Sequence, residues 1–136
     1  MVPNDLDARL AASDQSEDAE LLVDLGCDLA DAGRHVDAEY CFRRAVARGE
    51  QWVMFNVGNA LMPQGRLAEA VEAYRPAIAA GETPAWLNLG RCLEDLGDLT
   101  GAMHAYREAD TAEDPNGALA LAYLLREQGE HDEAEQ

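Results

Sequence analysis

Gly26, Gly58 and Gly90 lie 32 residues apart, and four further columns of the chain keep the same register. A second glycine recurs as Gly33, Gly65, Gly97 and Gly129, and an alanine as Ala38, Ala70, Ala102 and Ala134. An aromatic returns as Phe42, Tyr74 and Tyr106, and a last small residue as Ala45, Ala77 and Ala109. Self-similarity at a fixed period of a few tens of residues marks a repeat architecture, in which each unit buries its apolar face only against its neighbours.

Each unit reads as two helices. Leu22, Leu25, Gly26 and Leu29 form one stripe at helical spacing. Met54, Val57, Gly58 and Leu61 repeat it, as do Trp86, Leu89, Gly90 and Leu93. The glycine inside the stripe lets a partner helix approach closely. The second glycine ends the helix, where a left-handed cap carries no steric cost without a side chain. The alanine, aromatic, alanine set, spaced by four and then three, is the facing stripe of a second helix. Ser16, Thr83 and Asp114 are expected N-caps, with Pro84 and Pro115 at first helical positions, where the missing N–H costs nothing. Arg43, Arg75 and Arg107 directly follow the aromatic and are expected to line the outer surface. Pro63 and Pro76 fall inside predicted helices of the second unit. An interior proline removes a backbone hydrogen bond and costs about 3 kcal/mol, so a kink or an early stop is expected there.

The division that follows is an acidic leader over 1–18, outside the register, with a short capping helix expected over 5–12. A repeat domain then covers 19–136, made of units 19–50, 51–82 and 83–114 and a partial unit 115–136. In the partial unit Ala122 stands where the glycine belongs, and Leu121, Leu125 and Ala134 lack their full set of neighbours.

Charge and residue usage narrow the function. Ten basic against 27 acidic residues give a net charge of −17. That balance disfavours nucleic acid and anionic membranes, both of which need basic footprints, and permits a basic partner. All ten basic residues are arginines, so lysine Schiff-base chemistry and a phosphate-loop lysine have no place. No apolar run approaches the ~18 residues of a membrane helix. The opening MVPNDLDARL lacks the basic and apolar regions of a signal peptide, and a cytoplasmic location is expected. Cys27, Cys41 and Cys92 are odd in number and include no CxxC, so they read as structural thiols in place of a disulfide framework or a zinc site. His35, His104 and His131 share no spacing, and Ser13 and Ser16 have no partnering histidine. No catalytic residue, metal site or cofactor is expected, and the chain does not read as an enzyme.

The columns resemble those of the tetratricopeptide repeat family, whose pattern is Trp, Leu-Gly, Tyr, Gly, Ala, Phe/Tyr, Ala. The third unit matches it with Trp86, Leu89-Gly90, Gly97, Ala102, Tyr106 and Ala109, and has Leu93 in the tyrosine's place. The period of 32 is shorter than the family's usual ~34, and Gly49-Glu50 and Gly81-Glu82 replace the proline that closes a unit. The resemblance implies an all-α solenoid of antiparallel helix pairs stacked in a right-handed superhelix. It also implies a non-catalytic role in protein–protein interaction, with partners held in a concave groove lined by a second face of the first helices.

In QWVMFNVGNALM, Trp52, Phe55, Asn59 and Met62 lie on a stripe roughly 120° around the helix from the core stripe. Equivalent positions in the other units supply Val23, Leu87, Arg91, Leu119 and Tyr123. Asn56 and Asn88 add amides able to donate to and accept from an extended backbone. The competing readings pack Trp52 against the preceding second helix and bond the two asparagines to neighbouring backbone. The family's clamp for an acidic chaperone C-terminus is not expected. Val23 and Cys27 stand in its lysine and asparagine places, Pro84 and Asn88 replace its basic pair, and only Asn56 matches. An apolar or basic protein segment fits the candidate groove better. The alternative is self-association through the C-terminal end, as a homo-oligomer or as a scaffold segment of a larger repeat protein.

Overall fold

A computed structural model describes residues 5–134, with side chains to Glu130. The side chains of His131 and Ala134 lie outside the described residues. Eight α-helices follow in order among them: α1 Asp5–Ser13, α2 Ala19–Asp31, α3 His35–Ala47, α4 Met54–Leu61, α5 Leu67–Ala79, α6 Ala85–Asp95, α7 Leu99–Thr111 and α8 Pro115–Ala134. Short 3-10 turns, Gln51–Val53 and Met62–Gln64, flank α4. The all-α class expected from the repeat is the one observed.

The chain forms two compact units, Met1–Glu82 and Thr83–Gln136. In the first, α2 pairs with α3 and α4 with α5, α3 packs on α4, and α1 lies on α2. In the second, α6 pairs with α7, and α7 packs on α8. The repeat columns explain each pair. Gly26 faces the ring of Phe42 and Gly58 that of Tyr74, so closely that a Cβ at either would stand 2.5 Å from a ring carbon. Gly90 faces Tyr106 in the same way. Ala38, Ala45, Ala70, Ala77, Ala102 and Ala109 are fully buried on the facing helices. Gly33, Gly65 and Gly97 turn the chain between partners in the left-handed region, at φ 80°, 73° and 86°.

The termini of the helices depart from expectation in instructive ways. Asp18, not Ser16, caps α2: its carboxylate accepts from the Glu20 and Leu21 N–H groups at 2.9 and 3.4 Å. Ser16 acts one step earlier, accepting from the Asp18 N–H at 3.1 Å. Pro84, not Thr83, holds the cap position of α6, and Thr83 contributes its carbonyl, which accepts from the Trp86 N–H at 3.1 Å. Asp114 and Pro115 take the places foreseen for them, with the Asp114 carboxylate accepting from the Asn116 N–H at 2.9 Å. The two prolines of the second repeat behave differently. α4 stops at Leu61 and tightens into the turn containing Pro63. α5, in contrast, runs through Pro76 to Ala79. Pro76 lies in the last turn, and Glu72, whose carbonyl loses its partner, is exposed to water.

α1 covers the residues over which a short capping helix is expected and packs on α2, with Ser13 buried. It is tied down by Arg9–Asp28 at 2.8 Å, Asp7–Arg34 at 2.6 Å and a bond of 2.6 Å from Arg44 Nη2 to the Ser13 carbonyl. α8, at the other end, is a single 20-residue helix that passes through Gly129 without turning. A hairpin turn is held by the second helix folding back, and among the described residues none packs on α8 in that way. Leu125 is 46% exposed as a result, whereas Leu29, Leu61 and Leu93 in the same column are 0%, 0% and 8% exposed.

Candidate functional site

In Met1–Glu82 the candidate residues gather around two cavities. Val23 on α2 and Trp52 in the turn before α4 line a cavity of about 420 Å3 together with Ala19, Glu20, Asp24 and Glu50. Trp52 is 39% exposed, while its neighbour Val53 takes the core position. The indole is fixed by a bond of 2.7 Å from Nε1 to Glu50 Oε2. Asn56 and Asn59 line a smaller cavity of about 170 Å3 with Cys27, Ala30, Asp31, His35, Phe42 and Ala60. Asn56 Nδ2 donates to Cys27 Sγ at 3.8 Å, so it bonds across from α4 to α2.

Phe55, Asn59 and Met62 converge on one core residue, Tyr74. The Tyr74 hydroxyl donates to Asn59 Oδ1 at 2.5 Å and lies 3.1 Å from Met62 Sδ. The Phe55 ring stands 6.2 Å from the Tyr74 ring, tilted by 51°. The aromatic that covers Gly58 from inside therefore also sets the positions of three surface candidates. Pre-organisation of this kind lowers the ordering cost of binding.

The candidates in Thr83–Gln136 are less closely grouped. Leu87 is 7% exposed and offers little accessible surface. Asn88 is half-buried and Arg91 exposed on α6, while Leu119 and Tyr123 are exposed on α8. Trp86 meets His104 edge-on at 5.8 Å within the repeat. The Tyr106 hydroxyl donates to Glu94 Oε1 at 2.7 Å. Burial first, and then the Glu94 carboxylate, push that hydroxyl well above the usual phenol range.

All three cysteine thiols are held above their ordinary value. Burial pushes the Cys92 thiol up to about 11, and burial raises Cys41 too. Cys27 is raised by burial and then by the charges of Asp31, Asp24 and Asp28. A thiol held above its ordinary value is poorly populated as thiolate at neutral pH. No group of three His, Cys, Asp or Glu side chains is placed to hold a metal ion among the described residues. No helix among them is long and apolar enough to cross a membrane.

One group that no motif signalled is Glu39, a buried carboxylate on α3. It accepts from Arg43 Nε at 2.8 Å, Arg66 Nη1 at 2.7 Å and Gln64 Nε2 at 3.2 Å, and so joins one repeat to the next. Burial alone would raise its carboxyl. The hydrogen bonds from Arg43 and Gln64 and the charges of Arg43 and Arg66 outweigh burial and hold it below the ordinary value.

A sequence model of the tetratricopeptide repeat matches residues 23–83 and 55–118, well over half of the chain. No curated protein sequence matches it. The fold is similar to the crystal structure of MamA, with a TM-score of 0.82 at 20% identity over 95% of this chain and 80% of that one. It is similar also to the first TPR of Spaghetti (RPAP3) bound to the HSP90 peptide SRMEEVD, with a TM-score of 0.74 at 19% identity over 85% and 96%. PcrH in complex with the chaperone binding region of PopB gives a TM-score of 0.67 at 21% identity over 78% and 90%. With its helix pairs, its glycine–aromatic contacts and this match, the chain belongs to the tetratricopeptide repeat family.

Proposed function

We propose that the protein is a non-catalytic interaction module that holds a peptide or helix of a partner protein on the second face of its first helices. The observation that carries this reading is Trp52, a large aromatic left exposed beside a cavity, with its indole fixed by Glu50. Aromatic anchors on rigid elements supply most of the affinity at interaction surfaces. Val23, Phe55 and Met62 extend the apolar area, and Asn56 and Asn59 set the register of the bound chain. In Thr83–Gln136 the corresponding candidates are Asn88 and Arg91 on α6 and Leu119 and Tyr123 on α8, while Leu87 is nearly buried. The family resemblance supports this use, since RPAP3 and PcrH are seen with a peptide and with a segment of PopB. Free cysteines at 27, 41 and 92 fit a reducing cytoplasm.

Affinity capture from source lysate, comparing wild type with Trp52→Ala and Phe55→Glu at equal helicity by circular dichroism, tests the reading. A partner lost on both variants supports it. Partners retained on both would move the binding site elsewhere. A second reading, self-association, draws on Leu119, Tyr123 and Leu125, all exposed on α8. Light scattering over a concentration series settles that reading: the mass should rise for wild type and stay monomeric for Leu125→Glu, and a flat wild-type mass rejects it.

A further inference from the structure

The cavity between α2 and Trp52 has a chemical character that the general groove reading leaves unused. Glu20, Val23 and Asp24 share one face of α2 through their i, i+3 and i+4 spacing. Glu50, the last residue of the first unit, and Trp52, near the start of the next, close the cavity. Three carboxylates thus surround one exposed indole and one valine.

These carboxylates are not neutralised from within. Met1–Glu82 contains seven arginines, and none forms an ion pair with Glu20, Asp24 or Glu50, although Arg9 lines a neighbouring cavity that Asp24 also lines. Arg9 pairs with Asp28, Arg34 with Asp7 and Asp37, Arg43 with Glu39, and Arg44 with Asp14. Arg66 pairs with Glu39 and Glu69, Arg75 lies by Glu72, and Arg48 reaches the Ser16 carbonyl. Among the described residues no cation pairs with Glu20, Asp24 or Glu50. The negative field is felt one turn along α2, where Asp24 is among the charges that raise the Cys27 thiol after burial.

We propose that this cavity is a subsite for one basic side chain of the bound segment, arginine in preference to lysine. The cation lies on the face of Trp52 and is met by the carboxylates of Glu20, Asp24 and Glu50. An indole is the best aromatic platform for a cation. A guanidinium stacks on that platform and offers a planar set of donors to carboxylates, which an ammonium does not. Glu50 serves both roles: it accepts the indole N–H, which orients the ring, and a carboxylate has capacity for further donors. The subsite rests on the groove reading, because Val23 and Trp52 belong to the same candidate surface, and it adds the charge that the partner must carry.

The test uses the full chain labelled with 15N, whose two tryptophans give two indole N–H signals, assigned with Trp86→Phe. The probes are three blocked tetrapeptides, Ac-Ala-X-Leu-Ala-NH2, with X arginine, lysine or citrulline. The Trp52 signal should shift saturably with the arginine peptide, less strongly with lysine, and at least about tenfold more weakly with citrulline, which keeps the shape without the charge. Glu50→Gln keeps an acceptor for the indole and removes a charge, and should weaken arginine binding several-fold. Raising the salt should weaken it too. Equal response to arginine and citrulline, or no saturable shift of Trp52, overturns the subsite, and lysine binding as tightly as arginine overturns the stacking. Those failures are distinct from failure of the groove reading. If Trp52→Ala and Phe55→Glu still lose the partner in capture, the groove stands and only its charged subsite falls.

Discussion

Gly58 has no side chain because Tyr74 occupies the place one would take, and Tyr74 in turn holds Asn59 and Met62 through its hydroxyl. Gly58→Ala gains about 1 kcal/mol of helix propensity but forces the ring aside, and overpacking of that kind costs about 1–3 kcal/mol. The variant should melt at a lower temperature by circular dichroism and, on the proposed groove, capture a partner less well, since Phe55, Asn59 and Met62 move with the ring. Glu39 offers a second single-site check. Replacing it by glutamine leaves Arg43 and Arg66 without their shared anion and should cost about 1–2 kcal/mol in urea unfolding at pH 7. Its carboxyl is held below the ordinary value, so its contribution is fully present above about pH 4.3 and is lost as pH falls through the lower folded value. The gap between wild type and Glu39→Gln should therefore close in acid.

Gly97 after α6 and Gly129 inside α8 belong to the same glycine column, with opposite consequences. Gly97 turns the chain after α6 at φ 86°, a conformation that a side chain strains. Gly129 lies inside α8 with nothing within 4 Å of where a Cβ would stand. In urea unfolding, Gly97→Ala should lower stability by about 1 kcal/mol, and Gly129→Ala should raise it by about 0.5–1 kcal/mol. Equal signs for the two would mean that α8 turns at Gly129 after all.

A net charge of −17 acts on the protein as a whole. Like charges oppose compaction and attract basic partners, and salt screens both effects. Between about 50 and 500 mM salt the melting temperature should rise while affinity for a basic partner falls. An affinity that does not change with salt would indicate a partner held by apolar contact alone.

The helix pairs, their register and the close approach of helices at the stripe glycines were legible from residue order. Apolar spacing within a turn and the missing Cβ of glycine act over a few residues and need no knowledge of neighbours. Asp114 and Pro115 were legible for the same reason. Exposure was not legible, because it depends on what distant segments cover. Trp52 and Leu87 both belong to the inferred groove stripe, yet one is exposed beside a cavity and the other almost wholly buried. The continuity of α8, the pairing of Glu39 with Arg66 and the uncompensated carboxylates around Trp52 likewise follow only from which side chains packing brings together.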